Sequence, residues 1–297
     1  MDSGLFTFFL PIALAIMMTG LGLELTVKDF LRVQRHPKVI FLALFAQLII
    51  LVFIAFLICI LLKLPPLLAV GLMLLAASPG GPTANLISYL YQGDVALNIT
   101  LTAINSLICT FTLPFIVNLS IHYFLGDHPK IGMPTEKITQ VFLIVFIPVC
   151  LGMLIRSTLP HIALRLNKPM RLFSVLFLLS IFFFALYRER FNLGEYFINI
   201  GLATALFCFI SLMVGYLLPH LTGVSAKQAR ACTFEIGIHN TSLAMTIALS
   251  VLSNTTIALP AGIYSIFMYI FAFMFGYILT RPSLGLNQTS SKPLNDQ

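Results

Sequence analysis

Apolar stretches of membrane-spanning length alternate with short polar gaps along all 297 residues of the chain. Nine such stretches are legible, at roughly 4–24, 38–62, 66–91, 94–124, 138–157, 170–188, 195–219, 226–252 and 257–280. About 20 apolar residues in a helix suffice to cross a bilayer. The pattern therefore predicts an all-α polytopic membrane protein of about nine transmembrane helices. The gaps are too short for a soluble domain, so residues 1–281 are expected to form a single transmembrane domain. A polar tail follows at 282–297, rich in Ser, Asn and Lys and expected to be disordered.

Composition agrees. Hydrophobic residues make up 59% of the chain and charged residues 9%, with a mean hydropathy of +1.00. The net charge of +7 does not describe a nucleic-acid face, because the basic residues are scattered through the gaps between apolar segments. They report topology instead, since Lys and Arg accumulate on the cytoplasmic side. If the first gap is cytoplasmic, Lys28, Arg32, Arg35, Lys38, Arg156, Arg165, Lys168, Arg171, Lys227, Arg230, Arg281 and Lys292 lie inside, 12 of the 17. Lys63, Lys130, Lys137, Arg188 and Arg190 lie outside. The N-terminus is thus expected outside and the C-terminus in the cytoplasm of a cell that carries the protein in its inner or plasma membrane. Met1–Gly4 lacks a basic signal-peptide start, so the first apolar stretch is expected to remain as a helix. The five cysteines (Cys59, Cys109, Cys150, Cys208 and Cys232) show no metal or disulfide spacing and read as buried free thiols.

Two spans carry chemistry in their middles. In the third, Ser78-Pro79-Gly80-Gly81-Pro82-Thr83-Ala84-Asn85 cannot hold a continuous helical ladder, because proline lacks an N–H and clashes with the preceding turn. The backbone groups released there need protein, water or an ion as partner. In the eighth, Glu235-Ile236-Gly237-Ile238-His239-Asn240 places a carboxylate inside an apolar segment, while the other acidic residues sit at segment ends or in gaps. An ionisable group at that depth marks an ion or substrate path. Glu235 and His239 stand four apart, which on a helix puts them on one face. They are either a structural pair or members of a site. One interrupted segment in each half is the sequence pointer to the binding site of an inverted-repeat transporter.

These residues carry a resemblance. Pro79-Gly80-Gly81-Pro82-Thr83-Ala84-Asn85, followed by Tyr89-Leu90, Gly93-Asp94-Val95-Ala96-Leu97 and Thr102, resembles a helix and turn of the bile acid:sodium symporter family. Glu235-Ile236-Gly237-Ile238-His239-Asn240 is similar to that family's Glu-Val-Gly-Met-Gln-Asn stretch. His36-Pro37-Lys38 with Ala46-Gln47, and Gly20-Leu21-Gly22-Leu23 near Asp29-Phe30, also fit. The resemblance implies inverted repeats with two crossing discontinuous helices, a core domain and a panel domain. It also implies a chain that starts at the second of the ten helices found in bacterial members. Two sodium sites are implied, the coupling ion Na⁺ being the only cofactor expected. The first would draw on Asn85, Asn98, Thr102 and Glu235. The second would use Gln47, Glu235, the carbonyls of Ile236 and Ile238, and the residue at His239.

There the chain departs from the family, which has Gln. Na⁺ prefers oxygen ligands and an imidazole offers nitrogen, so the second site is expected to be altered or absent, with coupling by one Na⁺ or partly by H⁺. Where some members carry a substrate-facing His-Asn pair, this chain reads Met268-Tyr269. Asn240, Thr83 and Tyr269 are the candidate substrate contacts, the partners being a small organic anion and the lipid bilayer. The resulting function is sodium-coupled symport of a small organic anion by alternating access. A proton-coupled or uncoupled carrier of the same fold, and a non-transporting sensor, are the alternatives. An intramembrane enzyme would need a nucleophile–base pair or a metal cluster at depth, and the chain has no HExxH and no third ligand beside Glu235 and His239.

Overall fold

The computed structural model describes residues 3–126, 135–188 and 193–281. The polar tail and the gap residues Lys130 and Arg190 lie outside them. The described residues are almost entirely helical: α1 (Ser3–Glu24), α2 (Val27–Leu31), α3 (Pro37–Phe45), α4 (Leu51–Leu61), α5 (Pro66–Ala77), α6 (Pro82–Leu90) and α7 (Val95–Leu125). These are followed by α8 (Thr135–Thr158), α9 (Pro160–Arg188), α10 (Leu193–Leu221), α11 (Ala226–Gly237), α12 (Thr241–Ser250) and α13 (Thr255–Thr280).

The element ends follow from local chemistry. Asp94, Asn240 and Asn254 accept from the backbone N–H groups of Leu97, Leu243 and Ile257 at 3.1, 3.0 and 3.1 Å. Such caps satisfy donors that a helix start leaves open. Between α1 and α2 the chain turns at Thr26, whose N–H and hydroxyl both donate to the Asp29 carboxylate, at 2.8 and 2.6 Å. Helix α9 begins at Pro160, well ahead of its apolar window. Proline is preorganised for a first helical position, and the charged turn that follows continues the same helix.

Among the described residues, four helices are long and apolar enough to cross a membrane: Pro37–Leu61, Val95–Leu125, Ile200–Leu221 and Thr255–Thr280. The bent pair Pro11–Glu24 and Lys28–Arg35, its axes 58° apart, brings the number to five if it is one span. The first of the four is one α3–α4 rod with a π-helical turn over Ala46–Ile50. Its outer face exposes Phe41, Phe45, Ile49 and Phe53, one per turn, and α7 and α13 show similar stripes. An apolar stripe left outside a packed bundle is what lipid contact requires. The chain is a multi-pass membrane protein.

The helices form two packing groups. In one, α1 lies along α8 and α9. Its contact with α8 is close because both sides offer glycine: a β-carbon on Gly22 would overlap the Val149 carbonyl, and one on Gly152 the Thr19 carbonyl. Small residues at such positions let membrane helices approach. In the other group α5 packs on α7 and α13, and α10 on α11 and α13. Four cysteines are buried as expected, whereas Cys150 is exposed on α8.

Candidate functional site

Helices α5–α6 and α11–α12 are interrupted opposite one another. Between α5 and α6 the chain is extended at Ser78 and at Gly81. Between α11 and α12 the interruption covers Ile238–Asn240. The two unwound segments cross and pair: Gly80 and His239 form an isolated antiparallel bridge, and Asn240 N–H donates to the Pro79 carbonyl at 2.8 Å. The backbone groups freed by each break are thus partly satisfied by the other. The C-terminal ends of α5 and α11 both point carbonyls into the crossing, and their dipoles favour a cation there.

Glu235 sits in the last turn of α11, 2% exposed. Its Oε2 accepts from Thr102 Oγ1 on α7 at 2.5 Å, and its Oε1 has no hydrogen-bond partner in the protein. A turn earlier on α7, Asn98 Nδ2 donates to the Ala231 carbonyl at 2.7 Å, which leaves Asn98 Oδ1 buried and unpartnered. Asn85 Oδ1, on α6, is also buried without a partner. The four residues expected to make the first ion site therefore come from three elements around one crossing, and three of them present an unused oxygen. Leaving a buried acceptor unsatisfied costs about 1–3 kcal/mol, more for a charged one. Oxygens without donors are what a hard cation satisfies. Among the described residues, no three His, Cys, Asp or Glu side chains cluster, so the donor set is amide, hydroxyl and one carboxylate.

The second cluster is different. Gln47 lies in the π-helical turn of the α3–α4 rod, a feature frequent at functional sites. Its Nε2 donates to the Ser78 carbonyl at 3.1 Å and stands 3.3 Å from His239 Nδ1, which is itself 3.1 Å from the same carbonyl. A shared carbonyl acceptor assigns the ring proton to Nδ1, leaving Nε2 without a partner. The ring is held between Phe207, stacked at 5.3 Å, and Tyr264, edge-on at 5.5 Å. Tyr264 Oη donates to the Gly237 carbonyl at 2.8 Å, where the ladder of α11 ends between Ile236 and Ile238. Glu235 and His239 form no hydrogen bond with one another: the helix breaks between them.

The candidate substrate contacts are not gathered so neatly. Asn240 is at the crossing, with its side-chain oxygen engaged as the cap of α12. Thr83 is on the half-buried first turn of α6. Tyr269 is 42% exposed on the stripe of α13 that also carries Ile266, Ile270 and Phe273. Three residues of the site had no motif to announce them. Asn105 is buried beside the Glu235 carboxylate, one turn on from Thr102; the i, i+4, i+7 spacing of Asn98, Thr102 and Asn105 is its available signal. Phe207 and Tyr264 sit in uniformly apolar runs.

Beside this crossing lies a cavity of about 310 Å³, bounded by α1, α6, α7, α8 and α9. Asn85 and Thr102 form part of its wall, together with Glu24, Arg156 and Asn167. A second space, lined by Pro79, Ser106 and Leu243 among others, holds only about 10 Å³, hardly room for a water.

Residues 11–196 match the sequence profile of the Sodium Bile acid symporter family. The chain belongs to that family. Members are transporters, not enzymes, and the names of several relatives carry sodium dependence. An uncharacterized sodium-dependent transporter of Bacillus subtilis, YocS, is 27% identical over 258 residues, 87% of this chain and 78% of its own. The human ileal sodium/bile acid cotransporter is 25% identical over 272 residues, 90% of this chain and 77% of its own. The mouse P3 protein is 31% identical over 224 residues, 75% of this chain. The chain spans only about half the length of that protein, 47%.

Proposed function

We propose that this chain is a secondary active transporter that couples Na⁺ to the symport of a small organic anion. The observation that carries the reading is the set of unpartnered buried oxygens on Asn85, Asn98 and Glu235 around the helix crossing. Bound Na⁺ is cargo here: it would be held by those oxygens and the Thr102 hydroxyl, neutralising Glu235. Nine spans, arranged as inverted repeats, are the architecture this reading adopts. The broken helices with α3–α4, α7, α10 and α13 are the core, and α1, α8 and α9 the panel. Alternating access is movement of one group against the other about the crossing. With the N-terminus outside and the C-terminus cytoplasmic, the cavity beside Glu24 and Arg156 faces the cytoplasm of a cell with the protein in its plasma or inner membrane. The apolar closure at Pro79 and Leu243 then makes this an inward-facing arrangement.

The second ion site is read as closed. The Ser78 carbonyl is taken by Gln47 Nε2 and by the His239 ring, which leaves Gln47 Oε1 as the one unpartnered oxygen of these three residues, and a nitrogen stands where a ligand oxygen is needed. Coupling is therefore assigned to a single Na⁺. Replacing His239 by Gln is expected to raise the cooperativity of Na⁺ binding toward two ions. Unchanged ion stoichiometry in that variant would remove this part of the reading.

The test of the whole is melting temperature in detergent against Na⁺, with K⁺ replacing it at constant ionic strength. A ligand confined to the folded state at 100 times its Kd adds about 2.7 kcal/mol. A saturable, Na⁺-specific rise, absent in Glu235→Ala, is the expected result. No rise with Na⁺ would remove sodium coupling in favour of a proton-coupled or uncoupled carrier.

A further inference from the structure

The cavity that Asn85 and Thr102 line carries a charge that the ion site does not use. Arg156 is in the last turn of α8 and Asn167 on α9, and both line the 310 Å³ cavity. Arg156 is half-buried, and no carboxylate among the described residues lies within ion-pair distance of it. Glu24, the other ionised side chain of the wall, is engaged in a contact of its own. A topology-determining arginine ordinarily extends its head group out to the interface. Arg156 instead lines a space of the size that small-molecule sites occupy. A guanidinium there, with no carboxylate of the described residues within ion-pair distance and an amide lining the same cavity, matches a carboxylate, which it can grip with two parallel hydrogen bonds.

We infer that Arg156 is the residue that recognises the transported anion by gripping a carboxylate of it, with Asn167 in the wall of the same cavity. The inference rests on the transporter reading above and adds the anion's place. The place also supplies a route for coupling. Thr102 belongs both to the cavity wall and, through its hydrogen bond to Glu235, to the ion site. A cation that fixes the Glu235 carboxylate thereby fixes part of the wall that Arg156 shares, and by linkage the anion must tighten Na⁺ as much as Na⁺ tightens the anion.

The test uses the full chain in lipid nanodiscs at saturating Na⁺. Melting temperature is followed against pyruvate, 2-oxoisovalerate and cholate, with succinate as a dianion and choline as a cation. At least one of the carboxylates is expected to raise the melting temperature of the unaltered protein. Arg156→Gln is expected to weaken that anion about 10- to 100-fold, the loss of one charge-assisted pair, while the Na⁺ response stays intact and reports a folded protein. Arg156→Lys keeps the charge without the fork and is expected to fall between the two. Should Arg156→Gln fail to fold, the Lys variant decides: a weakened anion response supports the inference, and an unchanged one overturns it. Equal anion affinity in Arg156→Gln overturns it, and so does the absence of any carboxylate response in a protein that answers to Na⁺. An Arg156-dependent anion response without any Na⁺ response would remove sodium coupling and leave the anion site standing.

Discussion

The break between α5 and α6 and the break between α11 and α12 meet at one backbone bridge, yet they are made by different means. The first is a backbone device: Pro79 and Pro82 withhold N–H groups, and Gly80 and Gly81 offer no side chain. Helix α6 starts at Gly81 without a side-chain cap. The second has a single glycine and no proline; it brings the carboxylate of Glu235, the ring of His239 and the Asn240 cap. One break clears space and the other fills it. Gly80 is the point of contact between the two, because its bare α-carbon lies against the Glu235 carboxylate. The division suits an ion site: a cation needs both a crowded set of oxygens and a backbone lean enough to approach them.

The sharpest way to break the comparison is to give the lean side a side chain. In Gly80→Ala the new β-carbon would overlap the Glu235 carboxylate and lie 2.8 Å from that residue's carbonyl oxygen. Backbone cannot yield as a flexible side chain does, so about 1–3 kcal/mol of stability is expected to go, and the Na⁺-induced rise in melting temperature with it. Gly81→Ala is the control. Its β-carbon would find nothing nearer than 3.9 Å, so the Na⁺ response is expected to survive. If both variants keep the response, Gly80 is not the close approach described.

These two breaks were also unequally legible in the sequence. A Pro-Gly-Gly-Pro run announces an interruption through chain chemistry alone. The second break shows less in the sequence: Gly237 and the Asn240-Thr241-Ser242 helix start hint at it, but the partner segment determines its shape. The π-helical turn that carries Gln47 was not legible at all. Phe45–Leu51 contains neither Pro nor Gly, and the turn goes with a long-range contact, the Gln47 amide donating to the Ser78 carbonyl across the bundle. Glu235, by contrast, stood out as the one carboxylate within an apolar span. Tyr269 shows the converse limit, since its place in an aligned pair says nothing about which face of α13 it occupies.

The filled side can be weakened by smaller steps. Asn240→Ala removes the acceptor that holds Leu243 N–H and is expected to cost about 1 kcal/mol. Because Asn240 also donates its backbone N–H to Pro79, which alanine retains, the crossing itself should persist. The readout is a lowered melting temperature with an undiminished Na⁺-induced rise. Loss of the rise would mean that the Asn240 side chain does more than cap. Tyr264→Phe deletes the hydroxyl that donates to the Gly237 carbonyl, where α11 ends beside the ion site. A single buried hydrogen bond is worth about 1 kcal/mol, but here the carbonyl left open belongs to the helix end beside the proposed cation site. The expected signature is a small loss of stability in K⁺ that Na⁺ partly repairs. An equal loss in both salts would separate Tyr264 from the ion.

The smallest effect expected is a gain, and it tests whether the lean break is lean by necessity at both glycines. Helix α6 lacks the cap that Asn240 supplies to α12, and Gly81 stands at its N-cap position in an extended conformation any residue can adopt, with φ at −125°. Space is available, the nearest atoms to a new β-carbon being those of Asn240 at 3.9 Å. Gly81→Ser is therefore expected to supply a hydroxyl acceptor to the first turn of α6, worth a few tenths of a kcal/mol over glycine, and to raise the melting temperature slightly in K⁺. Stability without function would be the informative result. If the serine variant melts higher and still responds to Na⁺ yet transports more slowly, the bare start of α6 is there for movement rather than for ion binding. If it melts lower, the serine side chain is not accommodated beside Asn240 as the 3.9 Å spacing predicts.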